Sequence, residues 1–378
     1  MADTTIKQLG EWGQSVWLDN IGRSMIESGK LTEMMDAGLR GITSNPTIFE
    51  KAISGSSDYD EAIKALTKAG NSTFEIYDDL TIRDIQDAAD MFRPIYEKTN
   101  RLDGYVSLEI NPKLAYDTKE TIEEGMRLYE KVNRPNVMLK VPATDPGFGA
   151  IPTLLGEGAN INITLIFSLD HYIKTAQAFL SGMNSLLNKQ GDLSKTCSVA
   201  SVFISRVDTA VDKMLEEALE GSADKTVAHE LESLKGKAAV ANSQVIYEKY
   251  IEIFSGEEFE RLRQHGAHVQ RVLWGSTGTK NPAYSDIKYV TELIGRNTVN
   301  TLPENTITAF LDHGIVKEAL TADAKASQET IDRLSQFGID IDRVCAKLLE
   351  EGAGSFTASF ESLLSTLETK AKETSEES

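Results

Sequence analysis

The feature that most constrains this chain is a regular alternation of short apolar, β-branched runs with longer stretches of helical periodicity. The runs are Val16-Trp17-Leu18, Gly41-Ile42-Thr43, Tyr105-Val106-Ser107-Leu108, Val137-Met138-Leu139, Ile161 to Ile166, Val199 to Phe203, Val269 to Trp274 and Thr298 to Thr301, eight in all. Between them, Ser24 to Met35, Thr73 to Tyr96, Thr118 to Val132, Leu169 to Leu187 and Ser205 to Leu219 repeat apolar residues at three-to-four spacing. Strand–helix alternation of this kind implies a parallel sheet. Eight repeats in roughly 300 residues favour the closed barrel over an open doubly wound sheet. No glycine-rich fingerprint follows the first run, which weighs against a dinucleotide-binding fold. The expected fold is therefore α/β, a closed eight-stranded parallel (β/α)8 TIM-type barrel with extra helices.

Two segments exceed what the barrel needs. Ala223 to Gly266 precedes the seventh run and Thr321 to Lys372 follows the eighth; both are expected to pack as helices on the barrel wall. No linker rich in Pro, Gly or Ser divides the chain, so residues 1–378 are expected to form one domain. Its barrel core would span about 11–315 and its C-terminal helices about 316–372. The end, 373–378, belongs to an acidic tail in which Glu368, Glu373, Glu376 and Glu377 lie among Ser, Thr and Lys, expected to be a frayed helix or disordered.

Composition narrows the function classes. The net charge is −19, which repels nucleic acid and anionic membranes. It also repels a phosphorylated substrate at long range, so any phosphate site must be a local cluster of cations. No apolar run reaches about 18 residues, so no membrane span is expected. Met1 to Gly10 lacks the apolar stretch of a secretory signal. The two cysteines, Cys197 and Cys345, imply no disulfide framework, and a cytoplasmic location is expected.

Active sites of closed α/β barrels lie at the C-terminal ends of the strands. Seven of the eight runs end in polar residues: Asp19; Thr43, Ser44 and Asn45; Glu109; Lys140; Asn162 and Thr164; Ser201 with Arg206 just beyond; and Ser276 with Thr277, Thr279 and Lys280 in its loop. Lys140, inside Val137-Met138-Leu139-Lys140-Val141-Pro142, is the sharpest of these. Its ammonium would lose hydration there, which favours the neutral amine, a nucleophile towards a ketone carbonyl. The bland alternative is a lysine that reaches solvent or pairs with a carboxylate. Asp19 and Glu109 could move protons for such chemistry, or act as a helix cap and an ion-pair partner. Asn45, Asn162 and Thr164 suit sugar hydroxyls or an ordered water, and equally suit plain structural hydrogen bonding. Arg206 and Lys280 are the local cations the charge requires, and the small residues around Lys280 let backbone N–H groups approach an anion. That loop lacks the spacing of a P-loop.

Metal chemistry has little support. None of His171, His229, His265, His268 and His313 falls in a zinc-binding pattern. Asp58 and Asp60 resemble part of a calcium loop but lack its glycine and terminal glutamate. There is no serine-nucleophile elbow, and Cys197 reads as a small buried apolar residue.

Four segments resemble the transaldolases, in the same order along the chain. Thr43-Ser44-Asn45-Pro46-Thr47 is similar to the family's Thr-x-Asn-Pro signature. VMLKVPAT at Val137 to Thr144 resembles the segment around its Schiff-base lysine, and INITLIFS at Ile161 to Ser168 its Asn-x-Thr-Leu strand. VLWGSTGTKNPAY at Val272 to Tyr284 is close to a bacterial subgroup. The resemblance covers roughly 11–315 and implies roles residue by residue. Lys140 would form the Schiff base, Glu109 would act through a water held by Thr164, and Asp19 would exchange the C4 hydroxyl proton. Asn45, Asn162 and Ser201 would hold the dihydroxyacetone unit, and Arg206, Ser276 and Lys280 the phosphate. Many members carry a Ser-x-Arg arrangement after the seventh strand; here Thr277, Thr279 and Lys280 stand instead, and lysine is a point charge rather than a fork. The implied reaction moves a dihydroxyacetone unit between sugar phosphates, as in the non-oxidative pentose phosphate pathway, with no metal or organic cofactor, in a monomer or homodimer. Two rivals are an aldolase that uses the same lysine but releases free dihydroxyacetone, and a noncatalytic sugar-phosphate-binding barrel.

Overall fold

The computed structural model describes residues 4–221 and 223–376. Its strands are β1 (Gln14–Asp19), β2 (Gly41–Thr43), β3 (Tyr105–Glu109), β4 (Val137–Pro142), β5 (Asn160–Ile166), β6 (Ser198–Phe203), β7 (Arg271–Gly275) and β8 (Thr298–Leu302). They close in sequence order into a barrel, β8 pairing back onto β1, and every pairing is parallel. The expected closed (β/α)8 architecture is the one observed.

Strand side chains alternate between two environments. Val16, Leu18, Ile42, Val106, Leu139, Ile161, Ile163, Val202, Val272 and Trp274 join the outer core, packed under the surrounding helices. The opposite set points into the barrel. Trp17, Tyr105, Met138, Val199, Leu273 and Val299 form a separate apolar cluster that fills the middle. Beneath it, Arg271 donates to Ser15 Oγ at 2.8 Å and to Asp103 Oδ1 at 2.9 Å, and Trp17 Nε1 donates to the same Oδ1. This buried ion pair, with every charge hydrogen-bonded, plugs the N-terminal end. Above the apolar layer the inward positions turn polar, at the C-terminal end where the candidate residues lie.

Local signals set the helix starts. Ser72 and Glu75 form a capping box at Thr73–Lys98, Asp117 caps Thr118–Val132, and Ser168 caps Leu169–Asn188. The expected helix over Ser24 to Met35 is two helices, Arg23–Glu27 and Lys30–Ala37. They are divided at Gly29, whose φ of +85° no continuous helix can hold. β7 begins at Arg271, not Val269, because its pairing with β6 starts there and Gln270 instead gives its amide to Ser198.

The extra segments behave differently from one another. Ala223 to Gly266 holds the helices Lys225–Leu234, Ala238–Phe254 and Glu257–Gln264. The helix Lys325–Gln336 joins this wall, tied through Gln244 to Thr321 and through Glu248 to Ala324. The final helix, Ile341–Glu376, is not on the wall as expected: it lies over the C-terminal mouth of the barrel. Thr47 bonds Ser359, Tyr77 meets Phe360 edge-on, and Gly352 abuts Leu165 and Arg206. A Cβ at Gly352 would stand 2.9 Å from a Leu165 methyl, so a larger residue there would push that side chain aside. The acidic end is helical through Glu376, with Glu368 and Lys372 paired across one turn; Glu377 and Ser378 lie outside the described residues. None of the described helices is long and apolar enough to cross a membrane.

Candidate active site

Lys140 is the centre of the polar layer. Its register partners are Glu109 on β3 and Asn162 on β5. Nζ donates to the Ser44 carbonyl at 3.0 Å and lies 3.1 Å from Glu109 Oε2. Each side chain is only 5% exposed, so the pair is shielded from solvent. The Phe356 ring, from the C-terminal helix, stands 5.7 Å from Nζ. Ser44 is itself fixed, its hydroxyl donating to the Ser107 carbonyl at 2.6 Å. Burial pushes the Glu109 carboxyl above its usual range, against the pull of Lys140. Thr164 Oγ1 is buried and makes no hydrogen bond among the described residues, and the buried Glu109 Oε2 has the Lys140 ammonium beside it. Thr164 precedes Leu165, whose φ is +60°, at an irregularity in the β5–β6 pairing. Such bulges re-aim side chains at the rims of barrels.

Asp19 stands at the end of β1 and is not a helix cap; the next helix is capped at Gly22. It accepts a bond from Thr43 Oγ1 at 2.8 Å, and that hydroxyl lies 2.7 Å from Thr301 Oγ1. Because Thr43 gives its proton to Asp19, Thr301 must be the donor in the second bond. Burial pushes the Asp19 carboxyl up, while Lys140, the Thr43 bond and Lys280 pull it down. The net shift is upward.

Asn45 caps the helix Pro46–Ser54 through its Oδ1, which accepts from Ile48 N, and the residue also lines the pocket. Asn162 lies beneath the pocket wall, giving its amide to Ser107 Oγ at 3.1 Å and accepting from Ser201 Oγ at 2.6 Å. Ser201 does line the pocket, so Asn162 reaches it through that serine.

The pocket has a volume of about 130 Å³. Asp19, Lys140 and Thr164 line it together with Arg206, Ser276 and Lys280. Arg206 is half-buried against the Phe203 ring, and burial lowers its guanidinium pKa while Glu351 opposes the shift. Among the described residues neither Arg206 nor Lys280 has an ion-pair partner. Ser276 holds a left-handed φ of +54° with its hydroxyl 3.1 Å from Ser205 Oγ. The neighbouring threonines are used elsewhere. Thr277 is buried and donates to the Thr301 carbonyl, and Thr279 donates to the Ser285 carbonyl, so neither lines the pocket.

Sequence reasoning passed over Thr301, the Ser44 carbonyl, Phe203 and Phe356 as parts of this site. No group of three or more His, Cys, Asp or Glu that could hold a metal exists among the described residues. Cys197 and Cys345 are both free and buried.

Fold and site together define a (β/α)8 barrel with a buried lysine beside one carboxylate, in a pocket shared with a second carboxylate and with two cations that have no ion-pair partner among the described residues. A family model described as "Transaldolase/Fructose-6-phosphate aldolase" matches residues 16–367, and the chain belongs to that family. The match extends past the barrel into the C-terminal helix, further than the motifs alone indicated. Among similar proteins are a transaldolase of Trichodesmium erythraeum, 45% identical over 98% of this chain and 99% of its own, and one of Saccharopolyspora erythraea, 45% identical over 97% of each. Another is transaldolase 2 of Nostoc punctiforme, 43% identical over 98% of this chain and 99% of its own. The chain is an enzyme of the transaldolase type, a transferase.

Proposed function

We propose that this enzyme moves a dihydroxyacetone unit from a ketose phosphate to an aldose phosphate through a Schiff base on Lys140. Sedoheptulose 7-phosphate and fructose 6-phosphate are the donors; glyceraldehyde 3-phosphate and erythrose 4-phosphate are the acceptors. The observation that carries the reading is a buried amine 3.1 Å from one carboxylate, in a pocket also lined by a second carboxylate and by two cations without ion-pair partners among the described residues.

The donor's phosphate binds Arg206, Ser276 and Lys280. Lys140, having passed a proton to Glu109, attacks C2 of the ketose. Glu109, acting through a water held by Thr164, returns a proton to the carbinolamine oxygen, which leaves as water. Support for this step is the raised carboxyl of Glu109, its 3.1 Å contact with Lys140, and the buried Thr164 hydroxyl that makes no hydrogen bond among the described residues. Asp19 takes the C4 hydroxyl proton, the C3–C4 bond breaks, and its electron pair flows into the protonated imine to give an enamine. The aldose phosphate leaves. Asn45, Asn162 and Ser201 hold the three-carbon unit until an acceptor aldehyde is attacked by the enamine; Asp19 gives its proton to the new hydroxyl, and water then adds to the imine carbon, breaking its bond to Lys140 and freeing the product ketose. Because the imine is the electron sink, the chemistry calls on no metal or organic cofactor.

The family also contains aldolases, which would release dihydroxyacetone to water. A coupled assay for glyceraldehyde 3-phosphate from fructose 6-phosphate, with and without erythrose 4-phosphate, separates the two. Release that depends on the acceptor, matched by sedoheptulose 7-phosphate, is the expected result. Release without acceptor identifies an aldolase, and no release in either case returns the molecule to a sugar-phosphate-binding role.

A further inference from the structure

The helices between β6 and β7 are more than barrel closure requires, and what they touch is specific. Asp208 and Asp212 lie one turn apart on the helix Ser205–Glu220, whose second residue is Arg206. Asp212 Oδ1 accepts from Gly236 N at 2.8 Å, and Asp208 Oδ1 from Ala239 N at 2.7 Å. Both backbone donors belong to the inserted segment. The other oxygen of each carboxylate accepts a phenol from the β7–β8 connection: Tyr284 on Asp212 and Tyr289 on Asp208, each at 2.7 Å. Lys288 Nζ stands over both rings, at 5.7 and 5.6 Å.

Tyr284 lies four residues beyond Lys280, on the same loop. That loop is closed by Thr279 Oγ1 donating to the Ser285 carbonyl at 2.8 Å and Tyr284 N donating to the Asn281 carbonyl at 3.1 Å. Its start is fastened by the Ser276–Ser205 hydroxyl contact, so both ends of the segment carrying Lys280 are tied to the helix carrying Arg206. Gly236, at φ +67°, gives the ring its space: a Cβ there would stand 2.7 Å from Tyr284.

We infer that Asp212 and Tyr284 are positioning residues for phosphate recognition, holding Lys280 at a set distance from Arg206 so that both cations meet one phosphate. The inference rests on the reading that Arg206 and Lys280 bind phosphate. It gives the inserted helices a purpose: they anchor Asp212 from behind. Lysine is a flexible point charge, so the loop beneath it must supply the order that an arginine fork would carry in its own plane. Loosening the loop costs binding of the phosphate end and leaves the ketone chemistry at Lys140 alone.

The test uses the full chain with Tyr284→Phe, Lys280→Ala and the double variant. Two quantities are read: kcat and KM for fructose 6-phosphate, and borohydride trapping of dihydroxyacetone, which has no phosphate. Tyr284→Phe is expected to raise KM about 3- to 10-fold, the scale of one ordinary lost hydrogen bond, with kcat and trapping unchanged. Added to Lys280→Ala it should raise KM no further, because it acts through that lysine. Gly236→Ala, which displaces the ring from the other side, should shift KM in the same direction. An undiminished effect in the double variant, or no effect where Lys280→Ala alone raises KM, overturns the inference while sparing the phosphate reading. A Lys280→Ala variant with unchanged KM overturns both.

Discussion

Glu109 and Lys140 sit 3.1 Å apart on neighbouring strands, and the proposed cycle turns on which of them holds the proton. Replacing Glu109 by Gln keeps the shape and removes the acceptor. Turnover is expected to fall about 10²-fold or more, by the usual scale of general acid–base catalysis, with an unchanged circular dichroism spectrum. A variant within a few-fold of wild type would take Glu109 out of the proton path. Asp19 offers a test with a sign. It must be ionised to act as base; burial raises its carboxyl and Lys280 lowers it. Lys280→Ala removes one of the lowering charges, so the carboxyl rises and the acid limb of kcat/KM against pH should move to higher pH. A limb that stays or moves down contradicts this. At this scale Lys140, Asp19 and Glu109 were legible because charged residues ending apolar strands have few other uses. Thr301 was not, since a threonine in a strand reads as β-branched filler. The Ser44 contribution was hidden because it acts through a carbonyl that any residue would supply.

Among the elements, the paired helices Thr73–Lys98 and Thr118–Val132 carry the clearest electrostatic link. Asp78 accepts from Arg127 and Lys131 at 2.7–2.8 Å. Burial alone would raise the Asp78 carboxyl, but these bonds and charges outweigh it, and the carboxyl is held below 3.8. A folded-state value below the unfolded one means stability that is present above the unfolded value and lost as pH falls through the folded one. Asp78→Asn is therefore expected to cost about 1–3 kcal/mol near neutral pH, a figure discounted for the partial exposure of both cations. The difference from wild type should shrink as pH drops below 3.8. Urea titrations at neutral and acid pH check it, and a pH-independent difference would mean that packing rather than charge is lost. The helix Thr118–Val132 lies where its periodicity put it, since Asp117 caps it and Asn133 in left-handed conformation ends it. The C-terminal helix was harder to place. Apolar periodicity shows that a helix has a face to bury, not which body it is buried against, so nothing in its sequence marked Phe356 as a neighbour of Lys140.

For the whole molecule, the barrel was legible because its signal is a repeat: one misjudged strand edge, such as Val269, does not alter the count of strand–helix units. The net charge of −19 set a further condition, that phosphate binding be local, and the proposed function assigns it to Arg206 and Lys280, two cations lining one pocket without ion-pair partners among the described residues. In the proposed reaction that pocket and the buried amine act on one substrate. Incubation of the full chain with fructose 6-phosphate, reduction with borohydride and peptide mapping test this most directly. The predicted result is a stable adduct of three carbons, not six, on the peptide containing Lys140, and no adduct in a Lys140→Met variant that keeps the wild-type melting temperature. An adduct on another residue, or an active enzyme that is never labelled, would contradict the account.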